Sequence, residues 1–188
     1  MTSERGLRAD ARRNRGKLLV AARASFAATD EAVSLETIAH DAGVGIGTLY
    51  RHFPTREALV EAVYAAELDD VTSSASSLLD EFTPEDALLA WMERYAEFVT
   101  TKRTMIASLR TGWTPNQLTT TNTRARINEC IGTILAAGAR SGTLRGDVDP
   151  DDVTAMVLGA CLASASSPEQ TSRLFSLVID GLRRPTTG

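Results

Sequence analysis

Ser34-Leu35-Glu36-Thr37-Ile38-Ala39-His40-Asp41-Ala42-Gly43-Val44-Gly45-Ile46-Gly47-Thr48-Leu49-Tyr50-Arg51-His52-Phe53 is the stretch on which the fold turns. Ser34 is a favourable helix N-cap, because its hydroxyl accepts from an otherwise unpaired first-turn N–H. Gly43 stands where the chain must leave a helix through the left-handed region, which glycine enters without strain. The stretch reads as two helices of about eight residues joined by Gly43-Val44-Gly45, and helices that short do not hold alone in water. Their pattern says how they pack: Ile38, Ala42, Val44 and Leu49 point inward, and Ala39 is small where the two helices cross. This predicts a helix-turn-helix, in which the second helix enters the DNA major groove and the first lies across the backbone.

The flanking sequence supplies what these helices pack on. Leu18, Leu19, Ala22 and Phe26 recur at helical spacing with Arg15, Arg23 and Ser25 on the opposite face, which predicts an amphipathic helix from Asp10 to Ala28. Further along, four helix starts place a capping side chain before proline: Thr83-Pro84, Thr114-Pro115, Asp149-Pro150 and Ser167-Pro168. Proline at the first helical position loses nothing by lacking an N–H. Gln117 and Gln170 stand where a capping box needs them, and Glu85, Asp86, Asp151 and Asp152 put negative charge at the positive end of the helix dipole. Gly112, Gly142, Gly146 and Pro185 are stop signals, and the patch Thr119, Thr120, Thr121, Thr123 is placed to interrupt a helix. No segment alternates apolar and polar residues between hairpin turns, so the fold is expected to be all-α.

Composition narrows the function. The chain has 188 residues, 43% hydrophobic and 23% charged, enough for one or two small domains with ordinary cores. Its longest stretch without a charged residue, Val153 to Pro168, is too short and too mild to span a bilayer, and basic residues precede any apolar run at the N-terminus. A cytoplasmic protein with no membrane partner is expected. Cys130 and Cys161 lie far apart, in no C-x-x-C pair, and are read as buried small side chains. The net charge is -4, but nine basic residues against six acidic precede or include Arg56, a local excess of +3 on an otherwise acidic chain. That asymmetry is compatible with a local nucleic-acid surface and equally with a solvated basic tail.

Materials for catalysis are scarce. His40 and His52 are the only histidines, both inside the helix-turn-helix, and no P-loop, G-x-G-x-x-G or H-E-x-x-H motif occurs. No catalytic residue, metal site or cofactor is assigned, and an enzyme is not expected.

The run Ile38-Ala39-x-x-Ala42-Gly43-Val44-x-x-Gly47-Thr48-Leu49-Tyr50-x-His52-Phe53-Pro54-x-Arg56-Glu57-x-Leu59, preceded by an amphipathic helix ending in Phe26, closely resembles the DNA-binding domain of tetracycline-repressor-type (TetR/AcrR) regulators. The resemblance covers roughly the first third of the chain. It implies an N-terminal three-helix DNA-binding domain at 1–56, a long fourth helix at 55–79 linking the domains, and a helical ligand-binding and dimerisation domain at 57–188, about nine helices in all. It also implies roles for residues. Tyr50 and His52 contact phosphates, Thr48 donates to a phosphate or touches a thymine methyl, Ile46 and Gly47 face base edges, and Arg56 is a basic phosphate anchor, with Arg51 and Ser34 completing the DNA-binding set. Ile46 departs from the polar residue common at its position, so apolar contact with a thymine methyl replaces hydrogen bonding there. The basic stretch Arg5 to Lys17 resembles the arms that precede the first helix in some relatives.

In the body, Ala58, Leu59, Ala62, Val63 and Ala66 form the fourth helix's apolar stripe. Trp91, Tyr95 and Phe98 lie on one face of the next helix, with Met92, Met105 and Trp113 nearby in sequence. These side chains read either as core or as the lining of a pocket for a largely apolar small-molecule effector, for which Trp91, Tyr95, Phe98, Met105 and Trp113 are the candidates. Ala155, Gly159 and Ala163 on one late helix and Leu174, Leu177 and Val178 on the next form faces that a second copy would bury in a four-helix bundle, or that complete the monomer's own core. The expectation is a homodimeric, ligand-responsive regulator binding a double-stranded DNA operator, most simply a repressor. The different-class alternative is a small-molecule-binding or scaffold dimer that keeps the fold without useful DNA binding.

Overall fold

The computed structural model describes residues 2–28, 33–107 and 122–184. Among these the chain forms α1 (Thr2–Ala28), α2 (Leu35–Asp41), α3 (Ile46–His52), α4 (Arg56–Thr72), α5 (Ala75–Glu81), α6 (Pro84–Ala107), α7 (Thr123–Ser141), α8 (Pro150–Ala163) and α9 (Pro168–Leu182). No strand forms among the described residues; one isolated bridge pairs Leu144 with Arg183. The Thr114-Pro115 cap, Gly112, Gln117, Thr119 to Thr121, Trp113 and Pro185 lie outside the described residues.

Two compact units emerge. The first holds residues up to Ala66 together with 101–107; the second holds Glu67–Thr100 and 122–184. The division falls ten residues later along α4 than the boundary expected after Arg56.

In the first unit α1 packs on α2 and α3, and α2 on α3. Leu18, Ala22 and Phe26 of α1 are buried with Ile38, Ala39, Ala42, Leu49 and Phe53, while Val44 is half-buried. The backbone of α1 is helical from Thr2 rather than from Asp10, so the basic N-terminal stretch continues the helix. Ser34 caps α2 as expected, its hydroxyl accepting from Thr37 N–H at 3.0 Å. Gly43, at φ 66°, closes the turn, with Val44 N–H donating to Ala39 O at 3.0 Å.

The fourth helix is shorter than the 55–79 expected. It ends at Thr72, and α5 restarts at Ala75. The cause is local: Thr72, Ser73 and Ser74 each turn a hydroxyl back to a main-chain carbonyl, of Leu68, Asp69 and Val71, at 2.7 to 2.8 Å. Such back-bonding offers the helix's last acceptors a partner outside the ladder.

In the second unit α7 packs on α5 and α8, and α8 on α9. The proline-led starts hold. Thr83 accepts from Asp86 N–H and donates to its carboxylate at the head of α6, Asp149 accepts from Asp151 N–H, and Ser167 accepts from Gln170 N–H. Gly142 caps α7 at φ 77°. Trp91 is fully buried and its indole N–H donates to Val71 O, 3.2 Å away, tying α6 to the end of α4. Cys130 and Cys161 are both free and buried, and burial raises both thiol pKa values.

A polar clamp joins α7 to α8. Arg124 grips Asp151 with Nε and Nη2 at 2.6 and 2.8 Å, Asn128 donates to the same carboxylate, and Thr154 donates to Asn128 Oδ1. The Arg124 guanidinium, with Asn128 second, holds the Asp151 carboxyl down to about 2 from its ordinary 3.8. A carboxylate with a depressed folded-state pKa contributes stability that is present above its unfolded value and lost as pH falls. The clamp is therefore full-strength above pH 3.8 and fails towards pH 2, so Asp151→Asn is expected to lose less melting temperature than wild type across that window in a pH series of thermal melts. At Gly138 an added Cβ would stand 2.5 to 2.7 Å from three atoms of the Leu144 side chain. Overpacking of this kind costs about 1–3 kcal/mol, so urea denaturation of Gly138→Ala is expected to show that loss.

Candidate DNA-binding surface

The recognition helix is set by its buried side. Thr48 N–H and Leu49 N–H both donate to Gly45 O, at 2.8 and 3.2 Å, which starts α3, and Phe53 N–H donates to Leu49 O at 2.8 Å, which ends it. Leu49 and Phe53 are buried in the head's core, fixing the rotation of the helix about its axis. At about 100° per residue, Gly47 and Arg51 stand opposite Leu49, and Thr48 and Tyr50 flank them on either side. Exposure follows that wheel: Gly47, Tyr50 and Arg51 are exposed, Thr48 and His52 are half-buried, and Ile46 is 37% exposed at the margin.

The implied DNA-binding residues take different places on this frame. Tyr50, Arg51, Thr48, Gly47 and Ile46 share the outward side of α3. Gly47 has ordinary backbone angles and no atom within 4 Å of where a Cβ would stand, so neither conformation nor packing calls for glycine there. Its lack of a side chain leaves the backbone itself open to close approach. Ser34 is exposed at the head of α2, its hydroxyl shared between Thr37 N–H and Thr37 Oγ1. Its clear role is to start the helix.

Arg56, expected as a phosphate anchor, has partners within the head. Its Nη1 donates to Val33 O at 2.5 Å, and its guanidinium carbon lies 5.9 Å from the centre of the Phe26 ring. Burial lowers its pKa, opposed by the Glu57 carboxylate. Arginine stays charged nonetheless. In this position it ties the chain before α2 to α1 and α4. Arg15 makes a related contact, its guanidinium 5.3 Å from the Phe53 ring centre, which the sequence reading missed. Spacing along α1 sets Arg15 about 60° from Leu18, beside the apolar stripe rather than opposite it; the partner ring is supplied by a residue 38 positions away.

In the second unit, Trp91, Tyr95 and Phe98 do share a face of α6. Trp91 and Tyr95 stack at 5.1 Å between ring centres and 13° between planes, and Tyr95 and Phe98 follow at 6.0 Å. All three are buried, as is Met105 farther along α6 in the first unit. Trp113 lies outside the described residues. On α8, Ala155, Gly159 and Ala163 are exposed, joined by exposed Met156 and Leu162. On α9, Leu177 is 66% exposed and Leu174 half-buried, whereas Val178 is buried in the chain's own core. The stripe Leu174, Leu177, Val178 therefore straddles two faces: Val178 turns inward and Leu177 outward.

Comparison with known proteins gives the fold its relatives. Residues 18–63 match the family model for bacterial regulatory proteins of the tetR family, and residues 83–184 match the C-terminal domain of SbtR-like transcriptional regulators. A TetR transcriptional regulator from Streptomyces coelicolor is 40% identical, over 92% of this chain and 99% of that one, with a TM-score of 0.79. The chain belongs to the TetR family. A second TetR regulator, from Mycobacterium vanbaalenii, is 34% identical over 95% of this chain and 99% of that one, at a TM-score of 0.76. A ketosteroid transcriptional regulator of Mycobacterium tuberculosis, 21% identical over 91% of this chain and 95% of that one, shares the fold at a TM-score of 0.54. No curated protein matches the sequence. This TetR-family chain is thus a DNA-binding transcriptional regulator, and the scaffold alternative is not favoured. No helix among its described residues is long and apolar enough to cross a membrane.

The inward Arg56 and outward Tyr50 predict opposite phenotypes. Arg56→Ala is expected to destabilise the head by about 1.5–3 kcal/mol, the range for a hydrogen bond to a charged group. Tyr50→Ala is expected to change stability by no more than about 0.5 kcal/mol, as surface substitutions do, while weakening DNA binding. Urea denaturation alongside fluorescence anisotropy on labelled duplex separates the two.

Proposed function

We propose that this TetR-family chain is a homodimeric repressor that binds a palindromic or near-palindromic operator and is released from it by a small-molecule effector. One observation carries the reading: burial of Leu49 and Phe53 leaves Gly47, Tyr50 and Arg51 exposed on α3, with Thr48 half-buried beside them. A helix-turn-helix reads DNA with this surface, and a two-fold dimer places two of them about 34 Å apart, one helical turn of B-DNA. His52, half-buried beside Tyr50, supplies an imidazole N–H for a phosphate.

The exposed apolar set on α8 and α9, Met156, Leu162 and Leu177 with Ala155, Gly159 and Ala163, supports the dimer. Small residues let helices approach closely, and the large ones lose their exposure when a second copy covers them. The effector reading rests on the buried aromatic row Trp91, Tyr95, Phe98, which offers a largely apolar ligand a wall of rings in the second unit. An effector acts by binding better to a conformation whose two heads do not fit the operator spacing, and it shifts the equilibrium by no more than that difference in affinity.

Selection from a randomised duplex pool at moderate salt is expected to recover an inverted repeat with half-site centres about 10 base pairs apart or adjusted by a fixed spacer. Binding that falls steeply with salt but prefers no sequence would overturn the proposal. In the same preparation Leu177→Glu is expected to convert the dimer to monomer by analytical ultracentrifugation and to lower operator affinity with it.

A further inference from the structure

Arg51 is the residue of the outward face that the sequence leaves without a definite role. It stands one helical turn beyond Gly47 and, with it, directly opposite the buried Leu49, at the centre of the surface rather than on a flank. Side chains on a helix lean towards its N-terminus, and Arg51 does so here. Its Nε donates to Gly47 O at 3.1 Å and its Nη2 to Thr48 Oγ1 at a longer 3.4 Å. The guanidinium is thereby drawn back over the N-terminal half of α3, the part of a recognition helix that meets base edges. Thr48 and Tyr50, about 100° to either side of Leu49, face the two walls of a groove, where phosphates lie.

The pattern of bonds matters as much as the place. Arginine has five N–H donors in a rigid plane. Nε and one N–H of Nη2 form the side edge, and that edge is docked on the helix's own Gly47 and Thr48. The end edge, formed by an N–H of Nη1 and the second N–H of Nη2, takes part in neither bond. An end-on fork of two parallel donors matches the O6 and N7 acceptors of guanine in the major groove. Anchoring of the side edge removes rotamer freedom before DNA arrives, so less is lost on binding. Gly47 completes the arrangement: no atom stands within 4 Å of where its Cβ would lie, and the space beside the guanidinium is open to a base.

We propose that Arg51 is the principal base-reading residue of this protein, held by Gly47 O and Thr48 Oγ1 so that its free edge recognises one guanine in each operator half-site. The inference rests on the reading of α3 as the DNA-contacting helix and goes beyond it by naming the base and the residue that selects it. Ile46, at the margin of the same face, adds apolar contact, and no other side chain on the outward side of α3 carries a fork of donors.

The test is selection from a randomised duplex pool with the full-length wild type and with Arg51→Ala, followed by anisotropy on the recovered operator at several salt concentrations. Arg51 is exposed and its hydrogen bonds among the described residues go to its own helix, and thermal melts by circular dichroism verify that the variant folds as the wild type does. The wild type is expected to recover an inverted repeat with an invariant guanine at one position of each half. Replacing that guanine is expected to weaken wild-type binding by about 5- to 150-fold per half-site, the usual discrimination of a bidentate pair. Arg51→Ala is expected to lose preference at that position alone and to bind the guanine and replaced operators alike. If Arg51→Ala weakens all sequences uniformly, keeps the guanine preference and lowers the salt slope by about 1, Arg51 is a phosphate contact and the proposal is overturned. If the variant recovers the same repeat with the same affinity, Arg51 has no part in reading and the proposal fails alone. Failure of the wild type to enrich any sequence overturns it together with the assignment of α3.

Discussion

Two helices of seven residues each have no stability of their own, and everything the head presents to a partner depends on burying one side of them against α1. Leu18, Ala22 and Phe26 provide the platform; Ile38, Ala39, Leu49 and Phe53 complete it. Burial of that side is a packing requirement, yet it also decides which residues of α3 face out. A rotation of one residue would bring Tyr50 into the core in place of Leu49. The two arginines laid on core rings, Arg15 on Phe53 and Arg56 on Phe26, close the edges of the same small core while keeping their charge at its surface.

The second unit answers a different demand. Its polar groups are spent on joining elements. Val71 O accepts from Trp91 Nε1 and lies 3.6 Å from Cys130 Sγ, so the end of α4 is held from α6 and α7 at one point. Arg126 adds Asp69 and Thr72 on the same turn of α4, and Arg124, Asp151, Asn128 and Thr154 fasten α7 to α8. Large apolar side chains that this unit leaves exposed include Met156 and Leu162 on α8 and Leu177 on α9. The outward side of α3, by contrast, presents the hydroxyls of Thr48 and Tyr50, a guanidinium and bare backbone. In a family of DNA-binding regulators the two kinds of surface suit the two kinds of partner, a hydrated polyanion for the head and another protein surface for the body.

Helix starts were legible because they are local. A cap oxygen, a proline and a first-turn acid act within four residues, and the Thr83, Asp149 and Ser167 starts appear where that chemistry puts them. The end of α4 was not, although its cause is also local: Thr72, Ser73 and Ser74 continue an apolar rhythm into Leu78 and Leu79, and only the bonds from their hydroxyls to the preceding turns reveal the break. The extension of α1 to Thr2 was missed because a basic, polar stretch shows no apolar stripe.

The sequence by itself determined the all-α class, the helix-turn-helix, the family and the roll of residues from which a DNA-contacting surface is drawn, because periodicity, capping and a long run of motif residues are all written in neighbouring positions. Tertiary structure alone decided where each residue of that roll sits and what it bonds within the chain. Arg56 and Arg51 look alike as exposed basic residues near one helix, but a carbonyl at Val33 and a ring at Phe26 draw the first inward. Among the described residues the second bonds its own helix, at Gly47 O and Thr48 Oγ1. Val178 and Leu177, adjacent in the chain, part in the same way, one into the core and one to the surface. Which partner a long side chain finds depends on elements distant in sequence, and no spacing within one helix encodes it.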